Sequence, residues 1–241
     1  MLNGFSPDEP WNLNSHAAFA RTSSWVDLAE CPEPITSLLE IELGASGLRI
    51  IRRDPECDAA LRRAWALIGR VPSLRDVVPS VVTGVLRLQS DDYAVDISHS
   101  EPRWGGSVFV SFPPPTPVGD IRLTESIIHE AMHVNLSQTG IDDTLPKPEA
   151  LLYSPWRETL RPVSGVLHGA YVSTCLLRFF DLMVVGAVSP ALAEHIKQRR
   201  KEILGEFGSL SWSKLASSAG EAGRGLCQIM RDYIEHRLFR V

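Results

Sequence analysis

Residues 121–140 read IRLTESIIHEAMHVNLSQTG. Within them, His129, Glu130 and His133 form the pattern His-Glu-x-x-His. A spacing of four places two side chains on one face of an α-helix, about one turn or ~6 Å apart along the axis. Both imidazoles can then reach one metal ion, with Glu130 directed toward the same cavity. Two protein ligands leave coordination positions open, and open positions are where a metal does chemistry. The stretch predicts a helix with Asp120 or Thr124 as the cap, Glu125 in its first turn and Gly140 just past its end. Ile121, Ile128, Ala131, Met132 and Leu136 supply the apolar surface of a half-buried helix. Unpaired histidines there would be costly, and a metal satisfies them. The competing reading is a pair of hydrogen-bonded core histidines.

The rest of the chain frames this helix. Its 241 residues are enough for one large domain or two small ones. A net charge of -5 with dispersed basic residues argues against a nucleic-acid face. The run Lys197–Lys201 (KQRRK) sits beside Glu194, Glu202 and Glu206 and reads as a solvated helix face. Cys31, Cys57, Cys175 and Cys227 are scattered, without Cys-x-x-Cys spacing, as in a reduced, cytoplasmic protein. No signal peptide is evident at the N-terminus. The apolar stretch Val163–Val188 carries His168, Arg178 and Asp181, which would be expensive in lipid, so a buried helix is expected there and no membrane.

Upstream, residues 1–30 read as an extended or loosely helical lead-in, followed by a short helix around Leu38–Leu43 and an extended segment at Leu48–Ile51. Pro55–Gly69 reads as a helix, and Ser73–Leu88 as a further helical segment interrupted near Pro79. YAVDISH (93–99) and SVFVSF (107–112) alternate like strands, and the turn-rich EPRWGG between them suggests a hairpin. Downstream, residues 140–162 form a proline-rich, irregular connection, then a buried helix spans Gly165–Met183 and two or three amphipathic helices run from Pro190 to the end. The expected class is α+β, mostly helical, with a small antiparallel sheet packed beside the metal-binding helix. The expected organisation is a single catalytic domain over 1–241, with a mainly helical region (1–90), a metal-binding core (91–185) and C-terminal helices (186–241).

A catalytic metal usually takes a third protein ligand. One metallopeptidase pattern needs Gly three and His six residues beyond His133, but Leu136 and Thr139 stand there. Another draws a Glu from a following helix, whereas Glu149 and Glu158 lie in proline-rich sequence. His168 is the better candidate, flanked by Gly165 and Gly169, which permit close approach of another backbone or a ligand. A lone His in an apolar helix is otherwise a core residue bonded to a carbonyl. His99 ends a strand on the Tyr93/Ile97 side and either lines the cleft or, the preferred reading, faces a turn at the surface. His16, His195 and His236 read as exposed.

HEAMH, followed by YSPWRETLRPVSGVLHGAYV, resembles the His-Glu-x-x-His-type, 2-oxoglutarate-dependent peptide β-hydroxylases that modify ribosomally made peptides. The resemblance covers roughly residues 92–180: a strand ending in Ser, the His-Glu-x-x-His helix, the Ser-Pro-Trp-Arg segment and Leu-His-Gly. It implies Fe(II) rather than Zn(II), held by His129, His133 and His168, with 2-oxoglutarate and O2 as co-substrates and a precursor peptide as partner. Three neutral ligands depart from the usual two-histidine, one-carboxylate iron site and favour a bound dianion. The distal carboxylate of 2-oxoglutarate needs a fixed cation, and Arg157 or Arg161 is implied, with Arg178 as a third candidate or, the preferred reading, the buried partner of Asp181 or another acid. Tyr153, Trp156 and Tyr171 either wall the pocket or belong to the core. Glu130 is the general base in the alternative zinc peptidase, and a group that orients ligands, water or substrate in an oxygenase. A third possibility is a non-catalytic domain with a structural zinc.

Overall fold

Asp54 opens the first helix. Its carboxylate accepts the Cys57 amide at 2.8 Å, and Pro55 occupies the first helical position, where a missing N–H costs nothing. The structure is a computed structural model that describes residues 48–51, 54–90, 96–100, 106–185 and 189–238. Contacts gather it into two compact units, whose described parts are residues 48–134 and 135–238. The fold is α+β and mostly helical, as expected. The lead-in, the helix around Leu38–Leu43, residues 93–95 of the first alternating stretch, most of its following turn, Cys31 and His16 lie outside the described residues.

In the first unit, strand β1 (Leu48–Ile51) precedes helices α1 (Pro55–Ile68), α2 (Pro72–Arg75) and α3 (Val77–Val81). Strands β2 (Gly84–Ser90), β3 (Ser98–Ser100) and β4 (Ser107–Ser111) follow. The expectation of continued helix to Leu88 is therefore corrected. The break falls at Asp76 rather than Pro79, and the chain from Gly84 is the central strand of a four-stranded sheet ordered β1-β2-β4-β3. Leu86 and Leu88 are buried and alternate with the partly exposed Arg87 and Gln89, while Val85 is buried on the other face.

The expected β3–β4 pairing is present and antiparallel, but β2 and β4 run parallel, so the sheet is mixed rather than antiparallel. Leu86, Leu88 and Phe109 form a buried cluster on it, with Leu48, Ile50 and Ile97 packed alongside. Helix α4 (Pro117–Gln138) carries the His-Glu-x-x-His run. It begins earlier than the sequence suggested. Thr116 Oγ1 accepts the Gly119 amide at 3.0 Å, so Thr116 is the cap, Pro117 the first helical residue, and Asp120 lies in the first turn. Asp120 instead pairs with Arg63 of α1 at 2.8 Å.

In the second unit, Gly140 takes the left-handed conformation (φ 69°) that ends α4, as its position predicted. A 3-10 turn, Ile141–Thr144, follows. The connection to residue 162 is not irregular. Strands β5 (Leu151–Ser154) and β6 (Thr159–Pro162) pair antiparallel, with Tyr153 opposite Leu160. Their turn is closed by Glu158 at φ 50°, a conformation that sequence patterns rarely reveal in a non-glycine residue. Leu151, Tyr153 and Leu160 are exposed on this hairpin.

Helix α5 (Val163–Val185) packs on α6 (Pro190–Gly208) and α8 (Gly220–Leu238), with α7 (Trp212–Ser218) between those two in the chain. By length and composition α5 passes for a membrane span, but 72% of its most apolar window is buried inside the protein, so it is a core helix. Asp181 on it meets Arg200 at 2.6 Å, Tyr233 Oη at 3.0 Å and Arg237. Arg199 and Arg200 of the basic run are likewise engaged, with Glu202 and Asp181 respectively.

Glu149 sits ahead of α5 and caps it from outside. Its carboxylate accepts the Ser164 amide at 2.8 Å and pairs with Lys147 at 2.8 Å. Lys147 first, then Ser164, holds its carboxyl down at about 2, below the usual Glu value near 4.3. A folded-state value below the unfolded one means stability present above about pH 4.5 and lost as pH falls toward 2. Glu149→Ala is therefore expected to cost about 1 kcal/mol at pH 7, the usual worth of a helix cap. In urea titrations of both proteins, the difference should shrink steadily between pH 4.5 and 2. A difference independent of pH would refute the cap.

Candidate metal centre

Helix α4 is buried on most of its circumference, more than an amphipathic helix needs. Leu123, Ile127, Ile128, Ala131, Met132, Val134 and Leu136 are each at most 2% exposed. One lengthwise stripe is more open: Arg122, Glu125, Ser126, His129, His133 and Ser137 are partly exposed. These positions repeat every three or four residues, so they lie on a single face. The two histidines stand side by side on it, with ring centroids 4.9 Å apart and planes at 61°. The sequence thus places both imidazoles together on the accessible side of an otherwise packed helix.

Glu130, between them in sequence, is 5% exposed. Its Oε2 accepts the Ser100 hydroxyl of β3 at 2.6 Å. A carboxylate in the core is tolerable when hydrogen-bonded, and the short bond from a hydroxyl to a carboxylate is of the stronger kind. The contact also shows that the sheet lies beside the His-Glu-x-x-His helix. Arg122, on the same stripe, is held by Asp96 in a two-point pair at 2.7 and 2.9 Å. Sequence reading placed Glu130 but did not find Ser100 as its partner. The pair is 30 residues apart, and no local pattern announces it.

His99, expected at a turn, is partly buried in β3 opposite Phe109, with ring centroids 6.3 Å apart. His236 is exposed as expected, whereas His195 is partly buried.

The other candidates belong to the second unit. His168 is partly buried on α5, and its Nε2 bonds Asp142 Oδ2 at 2.9 Å. Asp142, its partner, carries no signal in the sequence that pairs it with His168. The close approach expected at Gly169 is made by a side chain: a Cβ there would meet Trp156 Cε3 at 2.7 Å. At Gly165 the neighbour is Arg161, whose Nε would lie 3.5 Å from an added Cβ. Trp156 also meets Phe207 edge-on at 5.8 Å, and its buried indole N–H has no hydrogen-bond partner among the described residues.

Tyr171 is fully buried, and its Oη accepts from Asn135 Nδ2 at 2.6 Å, so it is a core residue and no pocket wall. Burial pushes its hydroxyl well above the usual tyrosine value. Tyr153 is 48% exposed. Arg157 and Arg161 are both exposed on the hairpin, and Arg178 is partly buried on α5. Cys57, Cys175 and Cys227 are buried free thiols. Burial raises the Cys175 and Cys227 thiols to about 12, which leaves them inert.

The donor chemistry of the adjacent imidazoles fits a metal ion of the iron or zinc type. Among the described residues, no group of three or more His, Cys, Asp or Glu side chains is gathered to hold one. Compared with known proteins, the chain matches no family model and no curated protein.

Proposed function

We propose that the chain is an Fe(II)- and 2-oxoglutarate-dependent oxygenase that hydroxylates the β-carbon of a residue in a ribosomally synthesised precursor peptide. The observation that carries this reading is the His129–His133 pair on the open stripe of α4, with Glu130 turned into a hydrogen bond from Ser100. It is supported by the resemblance of the segments around HEAMH, SPWRE and LHG to the peptide hydroxylases. When bound, the iron supplies hydroxylation of a C–H bond, coupled to conversion of 2-oxoglutarate and O2 to succinate and CO2.

The chain's own residues do the rest. His129 and His133 are two of the ligands, and His168 is the third that the resemblance implies. Glu130 is a supporting group: its Oε2 is committed to Ser100, which fixes the carboxylate rather than leaving it to collect a proton from water. Arg157 and Arg161 present guanidinium groups on the β5–β6 hairpin, matched in shape and charge to a carboxylate. One of them holds the distal carboxylate of 2-oxoglutarate.

The test is anaerobic reconstitution with Fe(II), followed by admission of O2 in the presence of 2-oxoglutarate and candidate precursor peptides. Succinate formation dependent on both iron and O2, with a peptide mass gain of one oxygen atom, is the expected result. Peptide cleavage by the zinc-loaded protein without 2-oxoglutarate would overturn it in favour of a metallopeptidase with Glu130 as base.

A further inference from the structure

We infer that strand β5 is the docking edge for the peptide substrate, which adds beside it as an extended third strand with apolar side chains at alternate positions and an acidic residue among them. The identity of the partner rests on the peptide-modifying reading above. The edge itself is read from the hairpin alone.

Successive residue pairs of an antiparallel ladder alternate between hydrogen-bonded and non-bonded. Just outside the two strands, the Val163 amide donates to Ala150 O at 3.1 Å, which fixes the alternation. In the observed register, Leu152–Arg161 and Ser154–Thr159 are then bonded pairs, and Leu151–Pro162 and Tyr153–Leu160 are not. The amides and carbonyls of Leu151 and Tyr153 therefore point away from β6. They have no hydrogen-bond partner among the described residues, where β5 and β6 form a sheet of two strands. The opposite edge is blunted by Pro162, which has no N–H to offer.

The non-bonded pairs also share one face of the hairpin. Leu151, Tyr153 and Leu160 on it are 60%, 48% and 61% exposed, three of the four large apolar side chains exposed among the described residues. Ser154, on the other face, is buried, and α5 packs against both strands. Proteins usually blunt a strand edge that offers unpaired donors and acceptors. An open edge beside an exposed apolar face suits an added peptide strand, whose main chain supplies the hydrogen bonds and whose alternate side chains supply the selectivity.

Charge favours a peptide over a second copy of the chain. Arg157 in the turn and Arg161 on β6 are exposed and carry no ion pair among the described residues, against the single acid Glu158 beside them. A second copy would bring one net-basic hairpin to another, whereas an acidic chain is drawn to it. With one of the two arginines assigned to 2-oxoglutarate, the other remains for an acidic side chain of the peptide.

The probe is an eight-residue peptide of alternating valine and glutamate, fluorescently labelled, with a lysine-for-glutamate version as control, added to the metal-free full chain. Residue-resolved amide hydrogen exchange is expected to slow at least about tenfold at Leu151 and Tyr153 and to stay fast at Leu160, on the opposite edge. By fluorescence polarisation, Tyr153→Pro, which removes an outward N–H where an edge tolerates proline, should weaken binding at least about tenfold, while Tyr153→Val stays within about threefold of wild type. The lysine peptide should bind at least about tenfold more weakly than the glutamate one. If Tyr153→Pro does not fold, the exchange pattern of the wild-type chain decides.

No binding, binding without slowed exchange at Leu151 and Tyr153, or equal binding of the lysine peptide would overturn the docking edge. Slowed exchange there that grows with protein concentration and needs no peptide would assign the edge to a second copy and overturn it too. The oxygenase reading fails separately: an edge protected by peptide in a chain that forms no succinate with iron leaves the docking standing. Hydroxylation of a peptide that leaves Leu151 and Tyr153 exchanging freely overturns the docking alone.

Discussion

His133→Ala is expected to lower iron-dependent succinate formation by at least about a hundredfold, because removing a direct ligand exceeds the 10- to 100-fold cost typical of removing a ligand's supporting partner. The fold should survive. His133 is only partly buried on the open stripe of α4, and the buried face of Ile128, Met132, Val134 and Leu136 is untouched. Circular dichroism should therefore match wild type, while iron content measured after desalting falls.

Glu130→Gln supplies the contrast. Glutamine keeps an acceptor for the Ser100 hydroxyl and loses only the charge, so an oxygenase should retain at least about a tenth of its turnover. A zinc peptidase would lose the general base itself, a loss worth roughly 10²- to 10⁴-fold. Normal iron content and normal turnover in His133→Ala would remove the pair from the chemistry altogether.

The helix bearing that pair was the most legible part of the fold, because a repeat of apolar residues and a glycine at the exit are both local signals. Its start was misjudged by several residues. The run from Pro113 to Pro117 suggests a loop, yet proline is compatible with the first helical position and Thr116 precedes it as the cap. Strand β2 was lost for a different reason. The alternation of Leu86 and Leu88 with Arg87 and Gln89 spans only four residues and follows the valine-rich run Val77–Val82, with which it merges in sequence. Its parallel pairing with β4 has no local signature at all.

The β5–β6 hairpin was hidden by its turn, where Glu158 adopts the positive φ for which glycine or asparagine is the usual signal. The candidate site divides along the same line. His129 and His133 declare themselves by spacing. The hydrogen-bond partners of Glu130 and His168 do not, because Ser100 and Asp142 reach them over 30 and 26 residues of chain. Partners of this kind become visible only when the tertiary fold is known.

A strongly damaging substitution in the first unit is expected at a residue with no side chain. Gly119 lies in the opening turn of α4, where its amide is bonded to Thr116 Oγ1. An added Cβ would fall 1.9 Å from the carbonyl oxygen of Pro114, far inside contact distance. That oxygen cannot rotate away, since it belongs to the backbone and accepts the Thr116 amide at 2.8 Å. Gly119→Ala must therefore displace either the helix start or the Pro113–Thr116 segment.

A cost of about 3 kcal/mol is expected, at the upper end for overpacking, or a fall of roughly 6–12 °C in Tm for a chain of this size. The same change at Gly205 or Gly225 should act in the opposite sense. Both lie within helices, α6 and α8, with no atom within 4 Å of an added Cβ, so alanine there should stabilise by about 0.5–1 kcal/mol through helix propensity. Thermal melts of the three variants test the close approach directly. If Gly119→Ala melts with Gly205→Ala and Gly225→Ala, at or above wild type, the tight entry into α4 is wrong, and with it the placement of the helix start that carries His129 and His133.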